Sequence, residues 1–171
     1  MDVFFDTEFT TLNSKTGYPF LISIGCVAHD GRAFYAELSD TWHESLCSDF
    51  VIQTVLPLLQ SGECRMKEAE LAVRLKDWIE GLTDSSEVIL RSDAPLFDWP
   101  WVEQLFQFYG CWPKNLRRKC GVISLDYWKV RRYEQGIADY WRTNAARQHH
   151  ALVDARSLQF AWKFATERRR H

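Results

Sequence analysis

The chain has 171 residues, 46% hydrophobic and 26% charged, with a net charge of −2, which excludes a disordered polymer and predicts one domain with a sizeable core. No run of about 18 uncharged apolar residues occurs, so no membrane span is predicted, and Met1-Asp2-Val3 lacks the basic start of a signal peptide. Five scattered cysteines without a C-x-x-C pair predict reduced thiols and a cytoplasmic setting, not a disulfide frame or a zinc site.

In chain order, residues 2–9 and 19–28 predict strands, and His29-Asp30-Gly31-Arg32 a turn into a third strand over 33–38. The first three strands are therefore expected to be neighbours. Residues 48–60 predict a helix with Phe50, Val51, Val55, Leu58 and Leu59 on its apolar side, and Pro57 near its end. Residues 66–81 carry the clearest helical period, through Leu71, Ala72, Leu75, Trp78 and Ile79. A short buried strand follows at 87–92, a helix at 98–109 and a strand at 120–125. Residues 126–148 are basic and aromatic, with Gly136 as their one strong breaker, and give no assignment. A helix over 150–168 closes the chain, with Arg168-Arg169-Arg170 as its frayed end. Strands first and helices interleaved later predict an α/β fold with a mixed sheet.

Charge is unevenly spread. Residues 1–113 hold 7 Lys and Arg against 18 Asp and Glu; residues 114–171 hold 14 against 5. One part of the fold attracts a polyanion only if these halves do not neutralise each other, and composition alone leaves both outcomes open. The eight tryptophans and 15% aromatic content serve either a core or stacking platforms for bases.

Asp6 and Glu8 lie two apart on the first predicted strand and so share one face. Beside Val3 and Phe5 they either face water at a strand end or ligate a divalent cation. Asp98 and Asp154 each fall near a helix start, where the macrodipole favours an acid with no further function. Asp93 is a rival to Asp98. His149 can share a cleft with Asp154 only if it precedes the last helix, because five residues along one helix separate them by roughly 140°.

Three motifs combine: Phe4-Phe5-Asp6-Thr7-Glu8-Phe9-Thr10, Phe97-Asp98, and His149-x-Ala151-x-x-Asp154. In this order they resemble the DEDDh exonucleases, the DnaQ-like 3′–5′ exonucleases of the ribonuclease H-like fold. The pattern is similar to the small bacterial exoribonuclease branch typified by a mycobacterial enzyme, and more distantly to oligoribonuclease and ribonuclease T. Two departures stand out. Thr11 replaces a glycine common in the family, and Arg91-Ser92-Asp93-Ala94-Pro95 replaces the usual His-Asn-Ala start of the second motif.

The resemblance implies a single 3′–5′ exonuclease domain over 1–171 with a ribonuclease H-like mixed sheet flanked by helices. It implies that Asp6, Glu8, Asp98 and Asp154 hold two Mg²⁺ or Mn²⁺ ions, with His149 as general base and Glu8 also catalytic. His150 is the competing base. A loop over 144–149 is expected to close over substrate. Phe9, Thr10, Leu12 and Arg147 are the substrate-binding candidates, and the basic cluster from Arg117 to Arg142 would track phosphates. The implied partner is the 3′ end of single-stranded RNA, with DNA or a non-catalytic binding module as alternatives. The family often forms homodimers.

Overall fold

Strand β1 (Asp2–Phe9) sends alternate side chains to two cores, Val3 and Phe5 to one and Phe4 to the other. The computed structural model describes residues 1–12 and 18–167, and the arginine tail from Arg168 lies outside these. Beside β1 runs β2 (Leu21–Ala28), antiparallel and buried along its whole length. Strand β3 (Ala33–Leu38) returns antiparallel to β2. Gly31 permits that hairpin, since its φ of 99° suits glycine, and its amide donates to the Ala28 carbonyl at 2.9 Å.

Helix α1 (Asp49–Thr54) precedes the two-residue edge strand β4 (Arg65–Met66) and helix α2 (Glu68–Glu80). Then follow β5 (Ile89–Ser92), α3 (Pro95–Phe108), β6 (Gly121–Val122), α4 (Tyr127–Asn144) and α5 (Ala151–Thr166). The sheet order is β4-β3-β2-β1-β5-β6. The β1–β5, β5–β6 and β3–β4 pairs are parallel. The expected mixed α/β sheet, ribonuclease H-like in its antiparallel start and parallel continuation, is therefore present.

Helices cover both faces. On one, Leu71, Leu75 and Ile79 of α2 and Val102 and Phe106 of α3 pack on Val3 and Phe5. On the other, Ala155 and Leu158 of α5 pack on Phe4 and Val27, with Tyr133 and Ile137 of α4 at the margin. Each fully buried aliphatic side chain contributes about 1.5–3 kcal/mol. A central strand buried on both faces has no polar alternation, which is why Leu21–Ala28 is nearly continuous in apolar residues.

Several boundaries differ from expectation. The helix expected over 48–60 is only Asp49–Thr54 followed by a 3₁₀ turn, Leu56–Leu58; Pro57 carries no amide hydrogen to continue it. Phe50 does not face the core but is 53% exposed. Helix α3 begins at Pro95, not 98, because proline suits the first helical position. The strand expected over 120–125 keeps only two residues.

The largest difference is α4. Asp126 caps it, its carboxylate accepting the Lys129 amide at 3.0 Å. Gly136 does not break this helix. It is the point where α4 meets α5, and an added Cβ would lie 2.8 Å from the Ala161 Cα. The missing side chain serves packing.

Candidate active site

The C-terminal end of β1 meets the N-termini of α3 and α5 at a cleft of about 670 Å³. Asp6 and Glu8 enter it from β1. Like Phe4 they project towards α5, by strand alternation. Asp98 stands in the first turn of α3 and Asp154 in the first turn of α5. A glycine makes this convergence possible. Gly25 pairs with Asp6 in the sheet register, and a Cβ on it would lie 2.2 Å from the Leu152 nitrogen. The start of α5 thus rests directly on the β2 backbone, one helical turn from Asp154.

The acids form two groups. Ligand atoms of Glu8, His149 and Asp154 lie within 4.8 Å of one another, and so do those of Asp6, Asp93 and Asp98. Asp93 and Asp98, alternatives in the sequence, are both present here.

Asp98 is buried and firmly held. Its Oδ1 accepts the Thr7 hydroxyl at 2.6 Å and the Thr7 amide at 3.2 Å, and its Oδ2 accepts the Ser92 hydroxyl. Thr7, between the two strand acids, points away from them and reaches Asp98 from the other side. Asp154 accepts the His149 amide at 3.0 Å. His149 has a φ of 70°, so the chain turns sharply before α5 begins. That turn places His149 in the cleft despite its five-residue spacing from Asp154.

Electrostatics follow from burial. Asp6 is pushed well above the usual carboxylate range, first by burial and then by Asp98, Glu8 and Asp154. Glu8 rises to about 8 through burial, then Asp154 and Asp98. Asp154 rises to about 7, again chiefly through burial, although the His149 amide opposes this. Asp98 rises only to about 6, because the Ser92 and Thr7 hydrogen bonds favour its anion against burial. A helix N-terminus favours an anion by about 0.3–1 kcal/mol. Each pH unit of pKa change is worth about 1.4 kcal/mol, so burial and repulsion outweigh the helix ends. Burial holds His149 below its ordinary value, neutral at pH 7.

These residues fit divalent cations. Asp6 Oδ2 and Asp154 Oδ1 are buried without any hydrogen-bond partner among the described residues. Buried carboxylate oxygens without donors call for a cation, and a set of carboxylate oxygens suits Mg²⁺ or Mn²⁺, with the His149 imidazole beside it.

The other sequence candidates separate. Leu12 is 75% exposed and Phe9 half-buried against Trp101, with ring centroids 5.8 Å apart; both line the cleft. Thr10 does not. It is fully buried, and its hydroxyl accepts the Phe20 amide at 3.0 Å. Arg147 is exposed at the end of the 3₁₀ turn Ala145–Arg147, outside the cleft lining. His150 is buried, its ring stacked on Tyr35 at 4.5 Å and 2.8 Å from Gln60 Nε2. The apolar walls are Phe97, known from the sequence only as the neighbour of Asp98, together with Trp141 and Phe50, whose ring meets the His149 imidazole edge-on at 5.0 Å. Only the amphipathic stripe was visible for Phe50, and it pointed inward.

No protein-family model and no curated protein matches the chain. Solved structures do. A structure of exonuclease I, described as suggesting how processivity is achieved, superposes with a TM-score of 0.58 at 11% identity, covering 98% of this chain and 41% of that one. The E. coli exonuclease I complex with a dA16 oligonucleotide gives 0.55 at 12% identity, covering 98% and 41%. The zinc-bound E. coli exonuclease I complex with single-stranded DNA gives 0.54 at 11% identity, covering 92% and 38%. The likeness is one of fold, and the chain spans about two fifths of the length of these proteins.

Proposed function

We propose that the chain is a metal-dependent 3′–5′ exonuclease of the DEDDh type, a single domain that releases nucleoside 5′-monophosphates from single-stranded RNA or short oligonucleotides. One observation carries this reading: Asp6, Glu8, Asp98, Asp154 and His149 meet in one cleft, with buried acid oxygens that have no hydrogen-bond partner among the described residues.

Asp6, Glu8, Asp98 and Asp154 would hold two Mg²⁺ or Mn²⁺ ions. Such ions supply activation of the attacking water and neutralisation of charge at the departing 3′ oxygen. His149, neutral at pH 7, accepts the proton of the attacking water on an imidazole nitrogen. The edge of Phe50 restricts the imidazole and excludes bulk water from one side. Phe9, Leu12 and Phe97 offer apolar surface to the terminal base.

DNA is the second substrate reading, favoured by the fold's likeness to exonuclease I bound to DNA oligonucleotides. The test is incubation with Mn²⁺ and 5′-labelled RNA and DNA strands of one sequence. The expected result is a ladder shortening from the 3′ end, faster on RNA and abolished by chelator. His149→Ala should slow it by about 10²–10⁴-fold while Mn²⁺ still binds. Intact strands of both kinds, with folded protein and fresh metal, would refute the proposal.

A further inference from the structure

We infer that Asp93 ligates the second cation, and that Asp6, Asp93 and Asp98 together fill that position before any nucleic acid arrives. The inference rests on the proposed nuclease site but concerns a residue outside the family's four-acid pattern.

Asp98 alone is a poor ligand. A carboxylate has about four lone-pair directions. Thr7 takes both on Oδ1 and Ser92 one on Oδ2, which leaves one. Asp6 adds its unpartnered Oδ2. A hard cation takes six or more oxygens, so two such acids would leave most positions to water and phosphate. Asp93 supplies the missing protein ligand. Its carboxylate lies within 4.8 Å of those of Asp6 and Asp98. It is exposed, and among the described residues no hydrogen bond or ion pair engages it.

The local chain explains the placement. Strand β5 ends at Ser92, whose hydroxyl accepts the Ala94 amide at 2.9 Å, and Pro95 starts α3. The tight turn carries Asp93 at its apex, over the cleft. Ionised together within 4.8 Å, the three carboxylates repel one another. A divalent cation reverses that sign.

The test is calorimetric titration of the metal-stripped full chain with Mn²⁺ and no nucleotide. The expected result is two ions per chain for the native protein. Asp93→Asn and Asp93→Ala should weaken the second ion at least about tenfold, taking the loss typical of a supporting site residue as a floor. Asp93→Glu should retain it. Circular dichroism melts of the metal-free variants check folding, and an exposed position should leave them at or above the native midpoint. Two ions bound by Asp93→Asn with native affinity would overturn the inference. So would a native chain that binds one ion without nucleotide yet trims a 3′ end, an outcome that leaves the nuclease proposal standing. A native chain that binds none would overturn the inference, and would overturn the nuclease proposal as well where RNA and DNA strands both stay intact.

Discussion

Asp154 and Glu8 favour their protonated forms in the folded chain, at about 7 and about 8, through burial first and neighbouring acids second. In the unfolded chain they ionise near 4. Between those values the native state binds more protons than the unfolded state. Metal-free stability therefore falls as pH rises, by up to about 1.4 kcal/mol per pH unit for each group. In chelator, the native protein should melt at a lower temperature at pH 8 than at pH 5.5. Asp154→Asn should show a shallower decline, and saturating Mn²⁺ should stabilise most at pH 8. Parallel native and variant slopes would refute this assignment. Strand alternation made the pairing of Asp6 with Glu8 legible in the sequence, and the His149-x-Ala151-x-x-Asp154 motif singled out Asp154 against a plain helix-start reading. Thr10 was a candidate only because it follows the first motif, and local sequence did not show the break there. The β1–β2 register shifts between Glu8 and Phe9, which turns the next side chain into the fold. Asp98 was preferred to Asp93 only through the Phe97-Asp98 motif, because Thr7, the group that holds Asp98, is 91 positions away.

Secondary-structure elements bring the acids together through close backbone approach, and Gly25 is the critical contact. Gly25→Ala places a methyl group 2.2 Å from the Leu152 nitrogen, where only backbone could yield. Overpacking of flexible cores costs about 1–3 kcal/mol, and this site should exceed the upper value. The expected outcome is a denaturation midpoint lowered by more than about 3 kcal/mol equivalent, with Mn²⁺ binding weakened as α5 lifts from β2. A variant with native stability and native Mn²⁺ affinity would show that α5 is not pinned there. Glycines were the least legible residues for this reason. Gly31 acts through its own backbone, so the local sequence reveals it. Gly25 and Gly136 act on a partner helix, and single-chain periodicity carries no trace of that partner. The whole of α4 was obscured by one residue taken for a breaker.

At the scale of the molecule, the basic half is less available to phosphates than its composition implies. Arg117 pairs with Glu87 at 2.6 Å, Lys129 with Asp126 at 2.8 Å, and Arg142 with Asp139. Arg118 lies over Trp112, and Arg131 over Tyr127; among the described residues no acid pairs with either. Of the three ion pairs only Arg117–Glu87 joins the two halves, since Asp126 and Asp139 lie in the basic half itself, and these exposed pairs leave few of the named cations free for phosphate. Single strands release about 0.7 counterion per phosphate contact. With two or three contacts, the log–log dependence of binding on salt should have a slope of about −1.4 to −2.1. Fluorescence anisotropy of a labelled RNA strand with inactive Asp154→Asn, from low to moderate KCl, measures it. A slope steeper than about −4 would mean that the paired arginines leave their acids for phosphate. Exposed ion pairs are worth only about 0–1 kcal/mol each, so such exchange is energetically open. A shallow slope instead assigns most of the grip to the apolar walls and the acidic floor of the cleft, where the proposed cations would sit.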